Sequence, residues 1–235
     1  MPMTTVPEKL APGVYRVDAL GVKYAISVFL IAERDGWTLI DTGLPGSVPR
    51  IKEALGALGG DAGTLKRIYL THHHSDHIRG LAGMAEWAPA AEIIAPEREA
   101  PIINGDQPPD RSENPILRAM TERQQVPTHP VARTVREGDT IAGFRVIATP
   151  GHSLGHCSLL HEGHRLLLTI DAFGQLLFGI QVGVTKPFCS DPAQARRSAE
   201  KLLDLDFTVA ALCHGPLLRD GAKDRLRAGV EKNEW

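Results

Sequence analysis

The stretch Thr71-His72-His73-His74-Ser75-Asp76-His77 packs imidazole and carboxylate donors into a few positions. Those donors suit a borderline divalent cation such as zinc. His72 and His74 are two apart, so in an extended segment they share a side and His73 faces the other way. A local turn brings Asp76 and His77 round toward a second position. The spacing therefore reads as half of a two-metal site, with one ligand pair per metal. The apolar run Ile68-Tyr69-Leu70 before it reads as a buried strand ending at the threonine, with His77 opening a helix. A histidine-rich surface turn would not have such a strand behind it.

The same pattern recurs. Phe144–Ala148 runs into Thr149-Pro150-Gly151-His152, where the proline and glycine make a sharp turn that exposes the histidine as a ligand. His156, four residues on, reads as orienting neighbouring backbone. Arg165–Ile170 ends in Asp171, whose two oxygens can bridge two cations. Phe207–Leu212 ends in Cys213-His214; His214 reads as a ligand and Cys213 as a small buried apolar residue. Trp37–Ile40 ends in Asp41. A carboxylate there is costly unless satisfied, so Asp41 reads as a brace for the metal loop and not as a ligand. His129, His161 and His164 read as surface residues of loops and turns.

The elements that must hold these groups follow from periodicity. Residues 13–41 read as a meander of short strands, with Tyr24–Ile31 buried on both faces and a turn at Asp35-Gly36. Ser47–Leu58 carries helical spacing between an N-cap serine and Gly59. Helix resumes at Ile78–Met84, and Glu92–Ala95 is a further strand. Residues 96–133 hold many prolines and read as a lid or binding insertion, with a short helix over Ile116–Gln124. Leu176–Phe188 is apolar and glycine-interrupted, suited to lining a pocket. Asp191-Pro192 starts a helix that runs to about Leu203, and Asp220–Lys232 is an amphipathic helix. The expectation is one domain over residues 1–235, a sheet in each half with helices on its outer face.

Bulk composition agrees with an ordinary globular enzyme. The 235 residues are 43% hydrophobic and 23% charged, with net charge −2. No basic field is available for a polyanion, which argues against nucleic acid. The three cysteines Cys157, Cys189 and Cys213 form neither a disulfide framework nor a metal knuckle. With no secretory leader and no membrane-length apolar run, a cytoplasmic location is expected. The expected partner is a small-molecule substrate, with a homodimer left open and no membrane partner.

The set Asp41, His72-x-His74-x-Asp76-His77, His152, Asp171 and His214 resembles the metallo-β-lactamase-fold hydrolase superfamily from about residue 13 to 232. The resemblance implies an α/β fold, a four-layer αββα sandwich, with the site in a cleft at the sheet edges. It also implies that His72, His74 and His152 hold one metal, that Asp76, His77 and His214 hold a second, and that Asp171 bridges. Two positions depart from the family pattern: Ile170 where glycine is common, and Arg79 where a small residue is common.

The chemistry implied is hydrolysis by a water ionised between two divalent cations, with zinc expected first and manganese or iron as alternatives. Asp76 would carry the proton to the leaving group. Thr149-Pro150-Gly151-His152-Ser153-Leu154-Gly155-His156 is similar to the glyoxalase II motif, but only about twenty residues follow His214, whereas that family carries a longer C-terminal helical portion. Lactonase-like and other small-ester hydrolases are closer in length. Lactone, ester and thioester bonds are thus the expected targets. Alternatives on this fold are a mononuclear iron oxygenase of the persulfide dioxygenase type and a phosphodiesterase or β-lactamase.

Overall fold

The computed structural model describes residues 5–111, 128–176 and 179–232. The helix expected over Ile116–Gln124 lies outside the described residues. Strands β1 (Glu8–Ala11), β2 (Val14–Asp18), β3 (Ser27–Glu33) and β4 (Gly36–Ile40) form the expected meander, and β5 (Leu65–Tyr69), β6 (Glu92–Pro96) and β7 (Arg133–Val135) extend it in parallel. A second sheet has the order β15-β14-β11-β10-β9-β8, built from β8 (Thr140–Ile141), β9 (Phe144–Ala148), β10 (Cys157–His161), β11 (Leu166–Ile170), β14 (Val209–Leu212) and β15 (Leu217–Leu218). A separate hairpin joins β12 (Phe173–Leu176) to β13 (Gly179–Val182).

Side-chain alternation explains the layers. In β3, Phe29 and Ile31 face the second sheet, while Val28 and Leu30 face α1 (Val48–Ala57) and α3 (Leu81–Trp87). In β11, Leu166 and Leu168 turn inward to Phe144 and Leu159, and Leu167 turns out to Ala199 and Leu202 of α5 (Pro192–Leu203) and Leu226 of α6 (Ala222–Lys232). Strands apolar on both faces are what a sheet covered on both sides needs. The result is the αββα sandwich, and each fully buried Leu, Ile or Phe contributes about 1.5–3 kcal/mol.

Boundaries differ from the sequence reading in informative places. β3 starts at Ser27 and not at Tyr24, because Tyr24 adopts φ 70° and the chain turns there, Ala25 N donating to Val22 O at 3.1 Å. The helix at the histidine cluster, α2 (Ser75–Ile78), begins before His77. It is separated from α3 by Gly80. The helix α4 (Ala100–Asn104) occupies the start of the 96–133 segment. Among the described residues no helix is long and apolar enough to cross a membrane.

Candidate metal centre

Each group singled out by residue type lies where a strand stops. β5 ends at Tyr69, and His72 and His74 follow in extended backbone before α2 presents Asp76 and His77. His152 follows β9, Asp171 follows β11 and His214 follows β14. The fold thus brings the seven expected ligands together at one edge of the sandwich.

Two clusters form. His72, His74 and His152 offer nitrogen atoms within 4.8 Å of one another, and so do the donors of Asp76, His77 and His214. His74 Nδ1 faces His152 Nε2 at 2.8 Å, and His214 Nε2 lies 3.2 Å from Asp76 Oδ2. Asp171 sits between them. Its Oδ2 is 3.2 Å from His152 Nε2, 3.3 Å from His77 Nε2, 3.4 Å from His214 Nε2 and 3.9 Å from His72 Nε2. One oxygen therefore faces both clusters. Asp171 Oδ1 is buried with no hydrogen-bond partner among the described residues.

The imidazoles are oriented from behind. His77 Nδ1 lies 2.7 Å from Asp41 Oδ2, His152 Nδ1 3.0 Å from Gly183 O, and His214 Nδ1 2.6 Å from Ala25 O. An acceptor on Nδ1 leaves the Nε2 lone pair facing the cleft, which is the tautomer a cation needs. His72 Nε2 and His77 Nε2 are buried and have no hydrogen-bond partner. Orphaned buried nitrogens of this kind need an explanation, and a bound divalent cation would supply one. The donor set fits divalent cations of the zinc type.

Charge in the centre is uneven. Burial, reinforced by His77 and His74, holds His72 well below the usual histidine range; burial and His152 do the same to His74. Burial also disfavours a charged His77, yet Asp171, Asp41 and Asp76 outweigh it and raise the group well above its ordinary value. His214 is raised to about 10 against the same burial penalty, chiefly by Asp171. Asp171 is held well below the carboxylate range despite burial, by His214 and His77. Three acidic groups thus make a negative pocket around His77 and His214.

Asp41 and His156 lie behind the donors. Asp41 accepts from Thr71 N and Thr71 Oγ1, both at 2.8 Å, and braces His77. His156 Nε2 accepts from Asp171 N at 3.1 Å while Nδ1 faces Thr149 Oγ1 at 2.8 Å. Burial and His152 bring His156 down to about 3, consistent with a neutral acceptor. Asp41 and Ile170 both adopt positive φ, 59° and 50°. The isoleucine stands at a left-handed position where glycine would be unstrained. Gly151 has φ 130°, and a Cβ there would lie 2.1 Å from Ala195 N, so the His152 turn sits directly on α5.

Sequence reasoning missed two supports. Glu99 is fully buried and touches the loops of both His72–His74 and His152. Arg16, 2% exposed, donates to Gly215 O at 3.0 Å and stacks on Tyr24, beside the segment that holds His214. A buried arginine on a strand alternating Val14, Arg16 was a usable signal for the second; nothing local marked the first.

The metallo-β-lactamase superfamily model matches residues 22–214, which contain every donor described. The chain belongs to the metallo-β-lactamase superfamily. The chain is similar to YobT of Bacillus subtilis (strain 168), 33% identical over 89% of this chain and 91% of its own length. The probable metallo-hydrolase YflN of the same organism is 31% identical over 73% of this chain and 70% of that one. The hydroxyacylglutathione hydrolase of Photobacterium profundum is 27% identical over 64% of this chain, matching 47% of its own length. Among solved structures, a Cronobacter sakazakii metallo-β-lactamase superposes with TM-score 0.72 at 21% identity, covering 97% of this chain and 93% of that one, a likeness of fold. As a superfamily member the chain is a metal-dependent hydrolase.

Proposed function

We propose that the chain hydrolyses an ester-like bond of a small molecule, a lactone, ester or thioester, at a dinuclear centre. The observation that carries this reading is the convergence of two donor clusters on Asp171 Oδ2. His72, His74 and His152 would hold one cation, Asp76, His77 and His214 the other, with Asp171 between. Two divalent cations there, zinc in the first instance, would supply Lewis acidity and an ionised water at neutral pH. Asp76 is 32% exposed where Asp171 is 2% exposed, so it is the carboxylate that can exchange a proton with substrate. In this reading Asp76 takes the water's proton and returns it to the leaving oxygen or sulfur.

A mononuclear oxygenase would leave Asp76, His77 and His214 without a task, although they converge as tightly as the other three. Metal analysis separates the two readings: close to two equivalents per chain are expected, against one equivalent of iron with oxygen uptake. The substrate class is tested by assaying zinc, manganese and iron forms on lactones, thioesters, phosphodiesters and β-lactams. Turnover confined to phosphodiesters or β-lactams would overturn the ester-like reading.

A further inference from the structure

Glu99 lies between β6 and α4, in a segment that carries none of the expected donors, and its side chain is fully buried. Both of its oxygens are occupied. Oε2 accepts from His73 N at 2.9 Å and faces His73 Nδ1 at 2.6 Å; Oε1 accepts from Ser153 Oγ at 2.7 Å and Gly155 N at 2.9 Å. His73 is the residue between His72 and His74, and Ser153 follows His152. One carboxylate therefore clamps the two loops that bring three imidazoles into the first cluster. Space around it is reserved: a Cβ on Gly155 would lie 2.5 Å from Glu99 Oε1. Asp110 adds a second carboxylate to the same turn, its Oδ2 accepting from Leu154 N at 2.6 Å.

From this geometry we infer that Glu99 is a positioning residue that sets the distance of His72 and His74 from His152, and so the affinity of that cluster for its cation. The inference rests on the reading that these three histidines hold a metal. Among the described residues no hydrogen bond joins Glu99 to Asp76, His77 or His214, and His77 is braced by Asp41. The described part of the 96–133 segment thus holds the loops of the site through Glu99 and Asp110. Its effect should be selective, and selectivity is what a general loss of stability would not produce.

Glutamine at 99 keeps the size but turns one oxygen into a donor. In either orientation it opposes two N–H donors or the Ser153–Gly155 pair. The test places Glu99→Gln in two full-length backgrounds, His214→Ala, which leaves the first cluster intact, and His152→Ala, which leaves the second. Zinc affinity is measured in each by competition with a chelator. A 10- to 100-fold loss is expected in the His214→Ala background and less than threefold in the other, as for outer supports of metal ligands. Equal losses in both backgrounds, or none, overturn the inference. If Glu99→Gln does not fold, Ser153→Ala decides the same comparison, with a loss of threefold or more expected in the first background alone. A parent chain that takes up no zinc in either background overturns the metal reading itself; a parent that binds while the variants bind equally well overturns only the role of Glu99.

Discussion

His77 Nδ1 and Asp41 Oδ2 lie 2.7 Å apart, and the same carboxylate holds Thr71 through both its oxygens. One buried charge thus ties the end of β4 to the end of β5 and to α2. It also sets the tautomer of His77, since an acceptor at Nδ1 leaves Nε2 bare toward Asp171.

Asp41→Asn tests that role with little backbone disturbance, because asparagine tolerates the φ of 59° found there. The amide NH2 replaces the oxygen that faces His77, so the ring must flip its proton to Nε2 and aim it into the centre. Zinc affinity should fall 10- to 100-fold. Unfolding free energy should fall by about 1–3 kcal/mol for the lost charge-assisted bonds. Calorimetric titration and urea unfolding measure the two. A variant that binds zinc as the parent does would show that Asp41 only supports the fold.

Chelation should destabilise the protein more than it would a surface metal site. His72 Nε2, His77 Nε2 and Asp171 Oδ1 are buried without partners. A cation present at a hundred times its dissociation constant adds about 2.7 kcal/mol. For a chain of this size that corresponds to a fall of about 5–10 °C in Tm per site emptied. Thermal unfolding with and without a strong chelator reads it. An unchanged Tm would mean the clusters do not retain cations in the folded state.

The Glu99–His73 pair predicts a pH signature. Burial raises the carboxyl of Glu99, but His73 and Ser153 more than offset it and its value ends below the ordinary 4.5. Burial lowers His73, but Glu99 overturns this and its value ends above the ordinary 6.5. A depressed acid stabilises above its unfolded value and loses that stability as pH falls through its folded value. A raised base stabilises below its unfolded value and loses it as pH rises through its folded value. Both contributions are complete between pH 4.5 and 6.5. The stability difference between metal-free parent and Glu99→Gln should therefore be largest in that window and shrink on either side. A difference that grows steadily into alkali would contradict the pairing.

How much of this was legible in the sequence depended on whether a residue's role is local. The donors were readable because a strand end exposes the next side chain, and His152, Asp171 and His214 each follow an apolar run. The turn at Asp35-Gly36 and the N-cap at Asp191 were readable because their signals are equally local; Asp191 Oδ1 does accept from Gln194 N at 2.9 Å. Glu99 was not, since its partners are 26, 54 and 56 residues away and its own surroundings carry only the signals of a proline-rich connection. The start of β3 was misplaced because Tyr24 is a strand-favouring type that leads into an apolar run, yet it adopts φ 70° and the Ala25 carbonyl is diverted to His214. Ile170 was noticed as a departure from the family pattern, but its left-handed backbone was invisible until the β11–β14 register slipped beside it.

Gly80 sets two ordinary rules against each other. It is the N-cap of α3 with φ −76°, a conformation any residue adopts, so by backbone dihedrals alone alanine should be tolerated there. Space says the opposite. A Cβ at Gly80 would lie 2.2 Å from Thr42 O and 3.2 Å from Leu44 O, both backbone atoms that cannot rotate away. The approach is close because Thr42 N and Oγ1 both donate to His77 O, at 2.7 and 2.9 Å, and Gly80 N donates to Gly43 O at 2.9 Å. Gly80→Ala must therefore push α2 off the loop that follows Asp41 and carry Asp76 and His77 with it. Overpacking of this kind costs about 1–3 kcal/mol. Urea unfolding should show net destabilisation, and zinc affinity at the Asp76, His77 and His214 cluster should fall in the same variant. If the alanine variant is more stable than its parent, the contact between Gly80 and Thr42 is not what holds α2 in place.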